Sequence, residues 1–147
     1  MSLTPAMEDY LEAVLIVAKT QVEVRSVDIA RQLDVSKPSV WRAMTVLKDG
    51  GFLTMDDHGF LWLTDLGQET AKKIYERHCF FTDRLIAAGI DPAQAEKEAC
   101  RIEHAISEES FQILKDTFEN HGGDDTSSYS SLRWFSCVVT SFYQGSV

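Results

Sequence analysis

A mainly α-helical chain in two parts is predicted by three observations. Apolar residues recur at helical spacing along most of the sequence, two short extended runs flank Asp56-Asp57-His58-Gly59, and longer helical runs resume after Thr64. Thr4-Pro5 opens the first helix, because Thr serves as an N-cap and Pro fits the first helical position. Met7, Leu11, Val14, Leu15 and Ala18 then share one face. Gln21 to Arg25 reads as an extended link. Ser26 is expected to cap a second helix carrying Val27, Ile29, Ala30 and Leu33 on its apolar side. After a turn at Asp34-Val35, Ser36 caps a third helix running to about Asp49, with Val40, Ala43, Met44 and Leu47 inward and Gly50-Gly51 as its stop. Phe52 to Met55 and Phe60 to Leu63 form a hairpin, for which Gly59 permits a tight turn. Thr64 caps a long helix from about Asp65 to Ala88, ended by Gly89. Asp91-Pro92 starts another to about Ala105, and Ser107 caps one to about Asn120. His121 to Ser131 reads as a loop. Leu132 to Tyr143 is apolar, and Trp134, Phe135, Val138, Val139 and Phe142 predict that it packs back on the helices or on a partner subunit.

Composition narrows the class. The chain has 147 residues, of which 44% are hydrophobic and 25% charged, as expected of a globular protein with one core or two small ones. No apolar run approaches the roughly 20 residues of a membrane span. Glu8 and Asp9 arrive too early for a signal peptide, so a cytoplasmic protein without membrane contact is expected. Cys79, Cys100 and Cys137 are odd in number and lack CxxC spacing, which excludes a disulfide framework or zinc ribbon. The net charge is −9, divided as −3 over residues 1–64 and −6 over the remainder. This is opposite to the basic footprint of most nucleic-acid binders. An acidic regulator that binds DNA only after loading cations has this balance, and so does a protein that never touches DNA, so charge alone does not decide.

Three helices followed by a hairpin is the order of a winged helix-turn-helix. It places the third helix in the major groove with Ser36, Lys37, Pro38, Ser39, Trp41, Arg42 and Thr45 as candidate DNA-binding residues. Arg42 can donate to guanine or phosphate, while the hydroxyls position the backbone. Asp56 and Asp57 at the wing tip are expected to repel phosphate, leaving His58 or backbone amides to make any wing contact. A second signal is independent of the first. Cys100, Glu103 and His104 occupy positions i, i+3 and i+4, so a thiolate, a carboxylate and an imidazole share one helical face. These ligand types suit a first-row divalent ion. Asp9 and Glu12 repeat the i, i+3 spacing, and His78 in the long helix is positioned to complete a site.

Taken in order, Met7-Glu8-Asp9-Tyr10-Leu11-Glu12, Val27-Asp28-Ile29-Ala30, Ser36-Lys37-Pro38-Ser39-Val40, Leu63-Thr64, Arg77-His78 and Glu98-Ala99-Cys100-Arg101 with Glu103-His104 resemble the diphtheria toxin repressor and manganese transport regulator (DtxR/MntR) family of metal-dependent repressors, over about residues 4–120. The resemblance implies a winged helix-turn-helix domain over 1–64 and a helical metal-binding and dimerisation domain over 65–147, in a short form without the SH3-like domain of longer members. It implies a homodimer that binds double-stranded operator DNA when loaded with Mn(II) or Fe(II), and no enzymatic activity. The implied metal ligands are Asp9, Glu12, His78, Cys100, Glu103 and His104. Asp9 matches the manganese-sensing branch and Cys100 the iron-sensing branch. Carboxylates favour Mn(II), whereas the thiolate favours Fe(II), Zn(II) or Co(II). Trp41 stands where the family commonly has a small polar residue.

Two rivals come from other classes. A metal-independent winged-helix regulator would use Cys79 or Cys100 as a redox switch. A metallohydrolase would need a general base apart from the ligands, and none is evident. A homodimer interface built from the helices after Thr64 is expected from the apolar surplus of Ile74, Phe80, Phe81, Leu85, Ile86, Phe111 and Leu114.

Overall fold

The computed structural model describes residues 2–121. The predicted loop and apolar tail therefore lie outside the described residues. Six helices and a hairpin run in the order α1 (Pro5–Thr20), α2 (Ser26–Leu33), α3 (Lys37–Asp49), β1 (Leu53–Met55), β2 (Leu61–Leu63), α4 (Asp65–Ala87), α5 (Pro92–Ala105) and α6 (Glu108–His121). Thr4 caps α1 by accepting from the Met7 amide at 3.3 Å, Ser36 caps α3 through the Ser39 amide, and Thr64 caps α4 through the Gly67 amide. The second helix departs from expectation. Ser26 is already its first helical residue, Arg25 holds the cap position, and the Asp28 carboxylate accepts from the Arg25 amide at 2.8 Å. Asp34 ends α2 in a left-handed conformation.

Leu11, Val14, Ile29, Val40, Met44 and Leu47 fill the space between α1, α2 and α3, and Phe52, Leu53 and Leu61 close it from the hairpin. The strands are antiparallel, with Thr54 opposite Trp62. The link before α2 does more than connect, since Val24 bridges to Leu61 and adds a third extended piece beside the hairpin. At the wing tip Asp56 also has a structural role. Its carboxylate is spent inside the turn, accepting from the His58 and Phe60 amides at 3.0 Å and from Trp62 Nε1 at 3.1 Å. These bonds, that from Trp62 foremost, hold Asp56 below the usual carboxylate range. The residue holds the wing turn together while keeping an exposed negative charge at its tip.

The first half of α4 belongs to the same core, with Ala71 and Tyr75 buried against it. Gly67 makes this approach possible. A Cβ there would stand 1.7 Å from the Phe52 carbonyl oxygen, so α4 could not start where it does with any other residue. The second half of α4 packs on α5 and α6. Arg77 donates to the carbonyls of Glu103 and Ile106 at 3.3 and 3.4 Å and pairs with Glu108, tying the end of α5 and the start of α6 to α4. Phe80 meets Phe111 and Phe118 edge-on, and the Arg84 guanidinium lies over Phe80 and Phe118. Ile74 and Phe111 are buried within the protomer and so leave the predicted interface set. Ile86, Ile113, Leu114 and Phe118 remain exposed on this part of the molecule.

Candidate metal centre and nucleic-acid interface

The polar face of α1 meets α4 and α5 at a junction lined with ligand-type atoms. The i, i+3, i+4 spacing of Cys100, Glu103 and His104 sets their side chains on the face of α5 that looks toward α1. Asp9 Oδ1 lies 2.6 Å from His104 Nε2 and 3.5 Å from Cys100 Sγ, and Cys100 Sγ lies 3.8 Å from His104 Nε2. One turn further along α1, Glu12 approaches His78 and Glu103, and His78 Nδ1 stands 2.8 Å from Glu103 Oε2. Two groups of donor atoms result, Asp9 with Cys100, Glu103 and His104, and Glu12 with His78 and Glu103, each lying within 4.8 Å. Glu103 belongs to both. A cavity of about 450 Å³ opens beside them, lined by Asp9, Glu12, His78 and Cys100 with Ile16, Gln32 and Arg101.

Electrostatics at this junction are unfavourable in the absence of a cation. Burial, together with the neighbouring Glu103 charge, pushes Glu12 up to about 8. Burial also raises Glu103, against the opposing hydrogen bond from His78. The Cys100 thiol is pushed far above its ordinary value by burial and by the Glu103 and Asp9 carboxylates. Burial alone would lower His104, but hydrogen bonds to Glu8 and Asp9 more than reverse this and leave it raised. Glu103 is 1% exposed, yet its Oε1 makes no hydrogen bond among the described residues, although His104 Nε2 is 3.5 Å away. A buried carboxylate oxygen without a donor costs on the order of 1–3 kcal/mol. A divalent cation would offset the clustered carboxylates and give the unpaired Glu103 oxygen a partner, and the mixed oxygen, nitrogen and sulfur donors fit a first-row ion.

On the opposite side of the three-helix half, α3 turns Ser36, Lys37, Pro38, Trp41, Arg42 and Thr45 outward, with Ser39 half-buried. Trp41 is 59% exposed, a large apolar ring in water on a helix whose other face is fully packed. The Ser36 and Ser39 hydroxyls hydrogen-bond to each other, and Thr45 Oγ1 donates to the Trp41 carbonyl. Trp41, Arg42 and Lys37 are therefore the longest groups offered to a surface laid along this helix.

Comparison with known proteins gives both halves a counterpart. Residues 2–59 match the model of the iron-dependent repressor N-terminal DNA-binding domain, and residues 64–124 match that of the iron-dependent repressor metal-binding and dimerisation domain. The HTH-type transcriptional regulator MntR of Listeria monocytogenes serotype 4a (strain HCC23) is 33% identical over 121 residues, covering 80% of this chain and 85% of that protein. The chain belongs to the iron-dependent repressor family. The transcriptional regulator MntR of Escherichia coli O157:H7 is 30% identical over 116 residues, covering 79% of this chain and 75% of its own. Among solved structures, T. acidophilum IdeR superposes with a TM-score of 0.65 at 27% identity, and the manganese regulator SloR with 0.69 at 25%. This chain spans just over half of those two, 56% and 55%, and they cover 84% and 82% of it.

Within that family frame, the junction brings together all six residues singled out from the sequence as ligands. One neighbour was missed. Glu8 Oε2 lies 2.6 Å from His104 Nδ1, on the far side of the ring from Asp9. Its signal in the sequence was only adjacency to Asp9, and helical spacing gave no reason to pair it with a residue 96 positions away.

Proposed function

We propose that this chain is a metal-dependent transcriptional repressor, a cytoplasmic homodimer that binds operator DNA when loaded with Mn(II) or Fe(II). The DNA-binding half spans residues 1–64 and the metal-binding and dimerisation half residues 65–147. The observation that carries the reading is that Asp9 and Glu12, on α1 of the first half, share one junction with His78, Cys100, Glu103 and His104 of the second. These six are assigned as the metal ligands. Bound there, a divalent cation supplies positive charge and Lewis acidity that satisfy the clustered carboxylates. Holding it, Glu12 would be the carboxylate and Cys100 the thiolate, each having given up its proton, and α1 would be tied to α4 and α5. Fixing α1 fixes α3, because Leu11 and Val14 pack against the same interior as Val40 and Met44. In a two-fold dimer the recognition helices must sit about one DNA turn apart, roughly 34 Å. A coupling of about 1–3 kcal/mol between the junction and DNA is sufficient for regulation, and by reciprocity DNA tightens metal binding equally.

The DNA face is assigned to Ser36, Lys37, Pro38, Ser39, Trp41, Arg42 and Thr45. Arg42 is suited to guanine or phosphate and the Trp41 ring to thymine methyls.

Operator selection with metal-loaded protein, followed by affinity measurements in chelator and in Mn(II) or Fe(II), tests the reading. Binding that strengthens at least tenfold with metal is expected, and binding indifferent to chelator sinks it. Cobalt reports on the thiol in the same experiment. A sulfur-to-metal charge-transfer band is expected in the wild type, and Cys100→Glu should lose the band and shift preference toward Mn(II). A stoichiometric cobalt complex without the band removes Cys100 from the ligand set.

A further inference from the structure

The two ring nitrogens of His104 meet carboxylates from consecutive residues of α1. Nε2 stands 2.6 Å from Asp9 Oδ1, and Nδ1 stands 2.6 Å from Glu8 Oε2. Nε2 is the nitrogen that faces the donor atoms, with Glu103 Oε1 at 3.5 Å and Cys100 Sγ at 3.8 Å. Nδ1 points away from them toward Glu8, which is in neither donor group. We propose that Glu8 is a positioning residue that accepts the Nδ1 proton of His104 and so fixes the tautomer and ring orientation presenting the Nε2 lone pair to the metal. The inference rests on the assignment of His104 as a ligand.

A neutral imidazole has one N–H and one lone pair, and which nitrogen carries the proton is set by its partners. Carboxylates accept only, so Glu8 favours a proton on Nδ1, as Asp9 does on Nε2. With a cation held by Asp9, Cys100 and Glu103, the Nε2 proton would be the one displaced, while Glu8 would keep the proton on Nδ1 and the Nε2 lone pair would face the metal. Consecutive helical residues point about 100° apart, so Glu8 and Asp9 can straddle one ring in a way that residues one turn apart on α1 cannot. The contact is sheltered, with the His104 side chain 9% and the Glu8 side chain 25% exposed. A charge-assisted bond in such a place is stronger than a neutral one. Glu8 also lies on the DNA-binding half while His104 lies on the other. The ring is therefore held in its ligating orientation only while α1 is docked, which adds a link between the halves beyond the ligands themselves.

The test titrates the full chain with Mn(II) by calorimetry for wild type, Glu8→Ala, Glu8→Gln and His104→Ala. It also records the ¹⁵N shifts of the His104 ring in Zn(II)-loaded protein. Glu8→Ala is expected to weaken Mn(II) binding 10–100-fold, the usual consequence of removing such an outer partner. Glu8→Gln keeps an oxygen that accepts from Nδ1–H and should recover most of the loss, and it covers the case in which the alanine variant is poorly folded. The Zn(II)-loaded wild type should show Nδ1 protonated and Nε2 coordinated. Full affinity in Glu8→Ala alongside loss in His104→Ala overturns the role of Glu8 alone, as does a ring coordinated through Nδ1. Full affinity in His104→Ala overturns the ligand assignment, and this inference with it.

Discussion

Leu11 and Glu12 are neighbours on α1, and both are buried, with 0% and 7% of their surface exposed. Leu11 enters an interior of Ile29, Val40, Met44 and Leu47, where contact with other apolar groups is all that its burial requires. Glu12 enters a junction with Glu103 and His78, where burial penalises its charge and drives it to hold a proton. The apolar core is thus complete, closed by Phe52, Leu53 and Leu61 of the hairpin and by Ala71 and Tyr75 of α4. The junction is not, since a carboxylate oxygen of Glu103 stays unsatisfied and like charges face each other. A region that folds at the expense of buried acid marks a place that a bound cation would complete.

Three perturbations should separate the regions, in descending order of effect. Met44→Ala removes a fully buried side chain and should cost about 2–5 kcal/mol of stability. The cost should be the same in chelator and in Mn(II), as read by denaturant unfolding. A loss seen only in the metal-free protein would show that the two regions are not separate.

Glu103→Gln strikes the other region and should do the reverse. Both donor groups lose their shared carboxylate, so Mn(II) affinity should fall roughly a hundredfold, or about 2.7 kcal/mol. Stability in chelator should be unchanged or higher, because the variant removes a buried charge whose Oε1 has no donor, while the Gln oxygen can keep accepting from His78 Nδ1. Destabilisation in chelator comparable to that of Met44→Ala would make Glu103 an ordinary core residue.

The smallest effect is on pH. Glu12 moves from its ordinary 4.5 to about 8 on folding, so the metal-free fold binds its proton more tightly than the unfolded chain does. That contribution is fully present below about 4.5 and is lost as pH rises through about 8, so the metal-free protein weakens across this window. Metal binding has the opposite slope, because the proton must leave. Affinity should fall as pH drops below about 8 through this group. Calorimetry in buffers of different ionisation enthalpy counts the released protons, and Glu12→Gln should release fewer. Equal release from both proteins would contradict the assignment.

Much of this was legible because it depends on local periodicity. The caps at Thr4, Ser36 and Thr64, the inward set of α3, and the one-face arrangement of Cys100, Glu103 and His104 all follow from 3.6 residues per turn. The cap of α2 was misread because Ser26 and Asp28 both offer cap chemistry, and the three-residue reach of the Asp28 carboxylate to the Arg25 amide prevailed. The role of Asp56 depended on Trp62 coming back across the hairpin, and the burial of Ile74 and Phe111 depended on how α4 meets its neighbours.

The sequence by itself offered the candidate ligands and the candidate DNA face of α3, since the i, i+3 and i+4 spacings and the exposed side of a helix are patterns within single helices. Only the tertiary structure decided that Glu103 is shared by two donor groups and that Glu8 stands behind His104. It also decided that Asp9 and Glu12 of the first half face α4 and α5 of the second. The physical reason is that these contacts join residues as far as 96 positions apart. Their geometry is fixed by how closely α4 can approach the hairpin over Gly67. It is fixed equally by the hold of Arg77 on the end of α5.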